Sequence, residues 1–190
     1  MGNDGAANIV IDGSGALADA LRAAEICVER PTTIVVTRIA TDAKSFDSLT
    51  DADFDDAWER PMQEAIESFQ AAHRARHERL IALVPTIGMS GAAGLAHVAA
   101  TAEAVRVMVK SAARQWGADG MTVNCIALAP ELFGIDPAAV GAVSIAPLAL
   151  AGKGSVADDV VPLIRMVASA DAHHMTGATL NADGGLWMTS

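Results

Sequence analysis

The feature that most limits how this chain can fold is an alternation of short apolar runs with longer helical stretches. The runs TTIVVT, LIALV and MTVNCIAL are continuous in apolar and β-branched residues, which is typical of parallel strands buried on both faces. Strands that alternate with helices predict a parallel sheet with helices on both faces, wound by right-handed crossovers. We therefore expect strands at 7–12, 32–37, 80–84 and 121–128, and helices at about 16–29, 55–77, 94–116 and 156–169.

Size and composition indicate one domain with surplus apolar surface. A chain of 190 residues suits a single domain. Hydrophobic residues make up 52% of it, yet no apolar run approaches the ~18 residues of a membrane span, so we expect surplus surface to be buried against other subunits. The net charge of −10 argues against a nucleic-acid partner. Cys27 and Cys125 lie in apolar contexts, which predicts reduced core thiols in a cytoplasmic protein.

The stretch from Arg79 to Pro130 carries the most specific pattern. It contains a buried strand, a glycine-rich loop, a long helix and the turn GADGMTVN (Gly117–Asn124) before a second buried strand. This order resembles the catalytic half of the short-chain dehydrogenase/reductase family, and TGATLNADGG (176–185) resembles the last strand of that family. The resemblance covers roughly residues 30–190. It implies a three-layer, Rossmann-like sheet of about five parallel strands in one truncated domain, 1–190, which lacks part of the N-terminal nucleotide-binding half.

That truncation also predicts where the first strand lies. Two strands and two helices of the family's nucleotide-binding half have no counterpart before TTIVVT. A strand at residues 7–12 would have nothing to pair with at a distant edge, so we expect it directly beside the strand at 32–37.

Counting back from Asn124 without gaps shows what stands at the family's catalytic positions. The serine position falls on Pro85, the tyrosine on Val98 and the lysine on Ala102, while Pro61 stands at the asparagine position of the preceding helix. In the family the tyrosine transfers the proton, the lysine lowers the pKa of the tyrosine, and the serine holds the substrate oxygen. The chain contains no tyrosine. The resemblance therefore implies a member that keeps the scaffold and lacks catalytic residues.

A cofactor or metal site has only weak support. Gly13-Ser14-Gly15-Ala16-Leu17-Ala18 fits the dinucleotide pattern G-x-G-x-x-A after a strand, and Gly13 and Gly15 are its candidate residues. The family's longer glycine spacing is absent, and the strand at 32–37 runs into Thr37–Ala40 where the family carries Asn-Asn-Ala-Gly. We expect a tight turn, with no cofactor in this chain and NAD(P) in a partner.

Histidines are the remaining polar candidates. His73 and His77 have a chelating i, i+4 spacing without a third ligand, so we expect a solvated helix end and no metal site. His97 is next to the tyrosine position, but it points about 100° away around the helix. We interpret it as a helix-surface or interface histidine.

Family members are usually tetramers, and the resemblance implies two interfaces. One is built by helices at about 55–77 and 94–116, and the other by the 156–185 region. The leading hypothesis is a non-catalytic subunit that pairs with an active NAD(P)-dependent short-chain dehydrogenase, as in the heterotetrameric hydroxyacyl-CoA dehydrogenases. Two alternatives stay open. One is a stand-alone homo-oligomer that keeps the emptied pocket for a ligand. The other is an enzyme with cofactor-free chemistry at His97, Glu131 or Asp136, beneath the segment 129–147.

Overall fold

The fold is a five-stranded, wholly parallel sheet with the strand order β1-β2-β3-β4-β5. A computed structural model describes residues 8–136, 150 and 154–188. The strands are β1 (Ile9–Asp12), β2 (Thr32–Val36), β3 (Arg79–Pro85), β4 (Thr122–Leu128) and β5 (Thr179–Ala182). The helices are α1 (Ala16–Ala23), α2 (Asp51–Phe54), α3 (Arg60–Arg74), α4 (Ala96–Trp116) and α5 (Val161–Ala168). The predicted fold class is confirmed.

The first strand lies where the sequence predicts it. β1 pairs in parallel with β2, with Ile9 opposite Thr32 and Asp12 opposite Val35. Its other edge is protected by a charged side chain, a common device at sheet edges. The guanidinium of Arg22 in α1 donates hydrogen bonds to the backbone carbonyls of Ile11 and Gly13. β1 is thus held between β2 and a side chain of its own following helix.

Two apolar layers cover the sheet, because successive strand residues point to opposite faces. On one face Ile81 and Leu83 of β3 pack with residues of α1 and α5. On the other face Leu80, Ala82 and Val84 pack with α3 and α4. All seven residues of β3 and all seven of β4 are buried, as expected of the central strands of a parallel sheet.

The helical segment before β3 starts at a well-formed cap. The Thr50 hydroxyl accepts from the Asp53 N–H at 3.3 Å, and the Asp53 carboxylate accepts from the Thr50 N–H at 3.0 Å. A hydrogen bond from Lys44, together with those from Thr50, holds the pKa of Asp53 well below its usual range. α2 continues through the wide turn Asp55–Glu59 into α3, which places Pro61 in the first turn of α3, where its missing N–H is tolerated.

Three expectations need correction or fall outside the description. Cys27 is exposed, because α1 ends at Ala23 instead of continuing to Glu29 and the chain that follows is extended. Cys125 is buried as expected, and burial raises the pKa of its thiol to about 12. Residues 137–147 of the segment 129–147, which was expected to lie over the pocket, are outside the described residues. Within the part of the chain described, no helix is long and apolar enough to cross a membrane.

Candidate functional site

The four positions that the residue count assigns to the family's catalytic residues are all buried. Pro85 is the last residue of β3, and Pro61 lies in the first turn of α3. Val98 and Ala102 are one turn apart on α4, each with 0% of its surface exposed. None of these side chains can donate or accept a proton. We find a proline ring, an isopropyl group and a methyl group where proton transfer would require polar groups.

The space around Val98 is occupied by other apolar side chains. Val98 belongs to a buried cluster with four further members, here called the edge cluster: Ile87, Ala92, Leu95 and Ile135. Ile39, Ala40 and Leu186 pack against its outside. Val98 and Leu95 have no exposed surface at all. The tyrosine position is therefore part of a hydrophobic core.

The lysine position is closed in a different way. The turn after β3 brings Gly88 against α4, so that a Cβ on Gly88 would stand 2.9 Å from the Cβ of Ala102 and 3.1 Å from a carboxylate oxygen of Glu103. Real Cβ atoms essentially never come that close. Glu103 in turn makes a two-oxygen contact with Arg106, at 2.6 and 2.7 Å. The long side chain of a lysine at position 102 would meet this turn.

His97 was expected to be a helix-surface or interface histidine, and the surface alternative was wrong. It is buried, and its Nε2 donates to the backbone carbonyl of Asp42 at 3.1 Å. The chain after β2 folds over the start of α4, as the hydrogen bond from the Lys44 N–H to the Gly94 carbonyl also shows. His97 therefore fastens this loop to α4. Glu131 and Asp136, its suggested companions, are both exposed.

The glycine-rich turn after β1 is explained by close packing. Gly13 has φ 121°, and a Cβ there would overlap the carbonyl oxygen of Val36 in β2. Gly15 has φ 93° and precedes α1. No side chain caps this end of the helix, so a phosphate bound at the turn would contact the first N–H groups of α1. Because Gly13 is required by the approach of β1 to β2, its presence does not itself indicate a ligand. The expectation of no cofactor stays a prediction.

The two histidines near the end of α3 each have a partner in the protein. The His73 ring stacks on Trp116, with centroids 4.6 Å apart, and its Nε2 lies 3.0 Å from a carboxylate oxygen of Asp119. His77 lies beyond the end of α3, and its Nδ1 is 2.7 Å from the Thr33 hydroxyl. Both histidines stay partly exposed, as expected of a solvated helix end, although each contacts another segment of the protein. Over the ranges described, no group of three metal-ligating side chains is close enough to bind an ion.

The signature residues at the C-terminal end have structural roles. The Asn124 side chain donates to the Met175 carbonyl at 2.8 Å and accepts from the Ala178 N–H at 3.1 Å, which joins β4 to the segment before β5. Asp183 is buried, and its two oxygens accept from the N–H groups of Gly185 and Trp187 at 3.1 and 3.0 Å. These bonds shape the turn that brings Leu186 to the edge cluster.

A groove that the sequence did not reveal runs between α3 and the first two strands. We call it the α3 groove; it is lined by Asp12–Ser14, by Val35–Arg38 and by one flank of α3 from Pro61 to Arg74. Its volume is about 560 Å³. No signal in the sequence identifies this groove, because it depends on which part of the sheet each helix covers.

The chain matches the family model described as enoyl-(acyl carrier protein) reductase over residues 28–187. It is 31% identical over 121 residues to the 3-oxoacyl-(acyl-carrier-protein) reductase of Haemophilus influenzae, a match covering 61% of this chain and 49% of that protein. It is 28% identical over 151 residues to the Escherichia coli reductase of the same name (74% and 60%). With the peroxisomal 2,4-dienoyl-CoA reductase of Danio rerio it shares 29% over 119 residues (58% and 39%).

The chain thus spans about half the length of the curated relatives it matches. Among solved structures, 4-hydroxyisoleucine dehydrogenase complexed with NADH and succinate superimposes with a TM-score of 0.59 at 18% identity. That match covers 80% of this chain and 67% of the other, and at this identity it shows the fold alone. The segment matched by the family model runs from the residues before β2 to those after β5 and includes the four assigned catalytic positions and the edge cluster. The chain therefore belongs to the short-chain dehydrogenase/reductase family.

Proposed function

We propose that this chain is a non-catalytic subunit that pairs with and stabilises an active NAD(P)-dependent short-chain dehydrogenase. The observation that carries the proposal is the edge cluster. A family member that performed the family's reaction would need a proton donor at position 98 and a cation at position 102, and both positions are buried among apolar atoms. The chain supplies the complex with a folded partner surface, and the other subunit supplies NAD(P) and the catalytic groups.

Exposed apolar side chains support the pairing. Ile66 of α3 is 43% exposed and Val107 of α4 is 61% exposed, and both lie on the helices expected to form one interface. Met166 of α5, at 47%, lies in the region expected to form the other. Scattered apolar residues are common on protein surfaces. Their position on the outer faces of the packed helices is what an interface between subunits requires.

The relatives suggest the substrate of the active partner. The names of those matched specify reductases of acyl thioesters, carried on acyl carrier protein or on coenzyme A. We propose that the complex oxidises or forms the secondary alcohol of a hydroxyacyl-CoA or a similar thioester. The finer form of the proposal is the non-catalytic subunit of a 2-(hydroxy(phenyl)methyl)succinyl-CoA dehydrogenase.

The test is purification of the tagged chain from its native host. We expect an intact short-chain dehydrogenase to co-elute, the complex to oxidise a hydroxyacyl-CoA with NAD(P), and the isolated chain to show no turnover. Turnover by the chain alone would overturn the proposal. So would a well-folded homo-oligomer that co-elutes with no dehydrogenase.

Val107→Lys tests the surface. A buried lysine at the centre of an interface costs about 2 kcal/mol or more, which lowers the amount of co-eluted dehydrogenase at least tenfold. Ala93→Lys is the matched control, because Ala93 is exposed in the loop before α4 and its replacement by lysine introduces the same charge. We expect it to leave the complex intact.

A further inference from the structure

One face of β1 has no helix packed on it among the described residues. Ile9 and Ile11 pack into the apolar layer that contains α1 and α5. Val10 and Asp12 point to the opposite face, on the α3 side, because side chains alternate along a strand. Val10 is 48% exposed there. Parallel sheets are normally covered on both faces, so this uncovered area is unusual.

The α3 groove beside this area has the shape of a missing helix. It follows α3 from Pro61 to Arg74, a distance of about 20 Å at 1.5 Å per residue. It lies on the flank away from α4, since His73 stacks on Trp116 of α4 and Ala71 lies about 160° from His73 around the helix. The small side chains of Ala65 and Ala71 allow a second helix to approach closely.

The charges of the α3 groove indicate what kind of helix fits it. Asp12, Glu64 and Glu67 line it together with Arg38 and Arg74. Arg38 is already paired with Asp56 at 2.8 Å and with Glu64 at 3.2 Å. Within the part of the chain described, Asp12, Glu67 and Arg74 make no ion pair, which leaves two unpaired carboxylates against one guanidinium. A second copy of this chain, with a net charge of −10, is a poor match to a groove whose unpaired charges are mainly acidic.

We propose that the α3 groove is the docking site for one amphipathic, basic helix of about four turns from a partner polypeptide. Small apolar residues of that helix cover Val10, and its Lys or Arg side chains pair with Asp12 and Glu67. The inference rests on the proposed function only in requiring a partner polypeptide. The α3 groove lies on a different flank of α3 from Ile66, and Val107 is on α4. The contact proposed here is therefore separate from the interface at those two residues.

The test uses the full chain in its native host, with a photo-crosslinking amino acid in place of Ala71. We expect a single crosslinked peptide that belongs to another polypeptide, is helical and carries a surplus of Lys and Arg. The same amino acid in place of Ala93 is the control and gives no such peptide. Glu67→Lys, added to the Ala71 probe, lowers the yield at least tenfold. Asp47→Lys changes the net charge equally at an exposed residue outside the groove and leaves the yield unchanged.

Several results would overturn the inference. One is a crosslink from position 71 to a second copy of this chain. Another is a crosslink to an acidic or extended segment, and the third is that no crosslink forms at position 71. Equal loss of yield in Glu67→Lys and Asp47→Lys would show non-specific attraction, which also overturns it. If the dehydrogenase still co-elutes while position 71 gives no crosslink, the docking site fails and the proposed function stands. If nothing co-elutes, both fail.

Discussion

Replacing Val98 by tyrosine introduces the residue type that the residue count places at this position in the family, and the packing around Val98 predicts that the protein cannot accommodate it. Val98 has no exposed surface and touches a cluster whose other members are 0–3% exposed. Inserting a larger side chain into such a core costs about 1–3 kcal/mol in strain. The phenol hydroxyl has no polar group to bond within the cluster and adds about 1–3 kcal/mol. We therefore expect Val98→Tyr to lower the free energy of unfolding by about 2–6 kcal/mol.

Thermal unfolding at a fixed protein concentration measures this loss. For a chain of this size each kcal/mol lowers Tm by about 2–4 °C, so the expected decrease is roughly 4–24 °C. Ala100→Tyr is the matched control, because Ala100 is exposed on the same helix and a surface substitution stays within about 0.5 kcal/mol. A Val98→Tyr protein as stable as the control would show that the cluster is an open pocket. Recovered turnover with NAD(P) in that variant would refute the reasoning altogether.

Three further predictions concern single residues. In native protein at pH 8, a thiol reagent should modify Cys27 and leave Cys125 unmodified, because burial raises the pKa of Cys125 to about 12; two thiols should react in denaturant, and a native count of two would contradict this. Gly13→Ala should destabilise the fold by about 1–3 kcal/mol, measured by urea unfolding, because the φ of 121° is strained for alanine and its Cβ would overlap the Val36 carbonyl oxygen; an unchanged midpoint would show that the turn adapts. The pKa of Asp53 is lowered in the folded protein, so its stabilising effect is complete above its unfolded pKa of about 3.9 and is lost as the pH falls below that value. The Tm difference between wild type and Asp53→Asn should therefore be constant above about pH 5 and shrink at lower pH. A Tm difference that grows in acid would contradict the predicted direction of this pH dependence.

The sequence predicted the sheet because its main signal is local. Continuous β-branched runs and helical spacing act over a few residues, and the pairing of β1 with β2 followed from the absence of any other neighbour. Cys27 and His97 were assigned wrongly for a related reason. The burial of each residue depends on which distant segment covers it, and neighbouring residues do not report that. The loop that reaches His97 through Asp42 is 55 residues away in the chain.

The α3 groove could not be predicted from the sequence either. It arises because α3 covers β2 more than β1, which is a property of three-dimensional spacing. The absence of a tyrosine at position 98, in contrast, could be predicted from the sequence. The filling of the space around this position by apolar side chains could not. Whether Val98 faces a cavity or a core depends on Ile135 and Leu186, which follow β4 and β5 and come from distant parts of the chain.

The origin of the side chains around Val98 bears on the choice between the partner role and stand-alone ligand binding. Ligands of open parallel sheets bind at the carboxyl ends of the strands. Here Ile39 follows β2, Ile87 follows β3, Ile135 follows β4 and Leu186 follows β5, and all four pack at the edge cluster. A valine in a space shaped for a tyrosine would leave a cavity, which costs about 24 cal/mol per Å³. Apolar residues from four separate segments instead fill the space around Val98, which favours the partner role over a ligand site at this position.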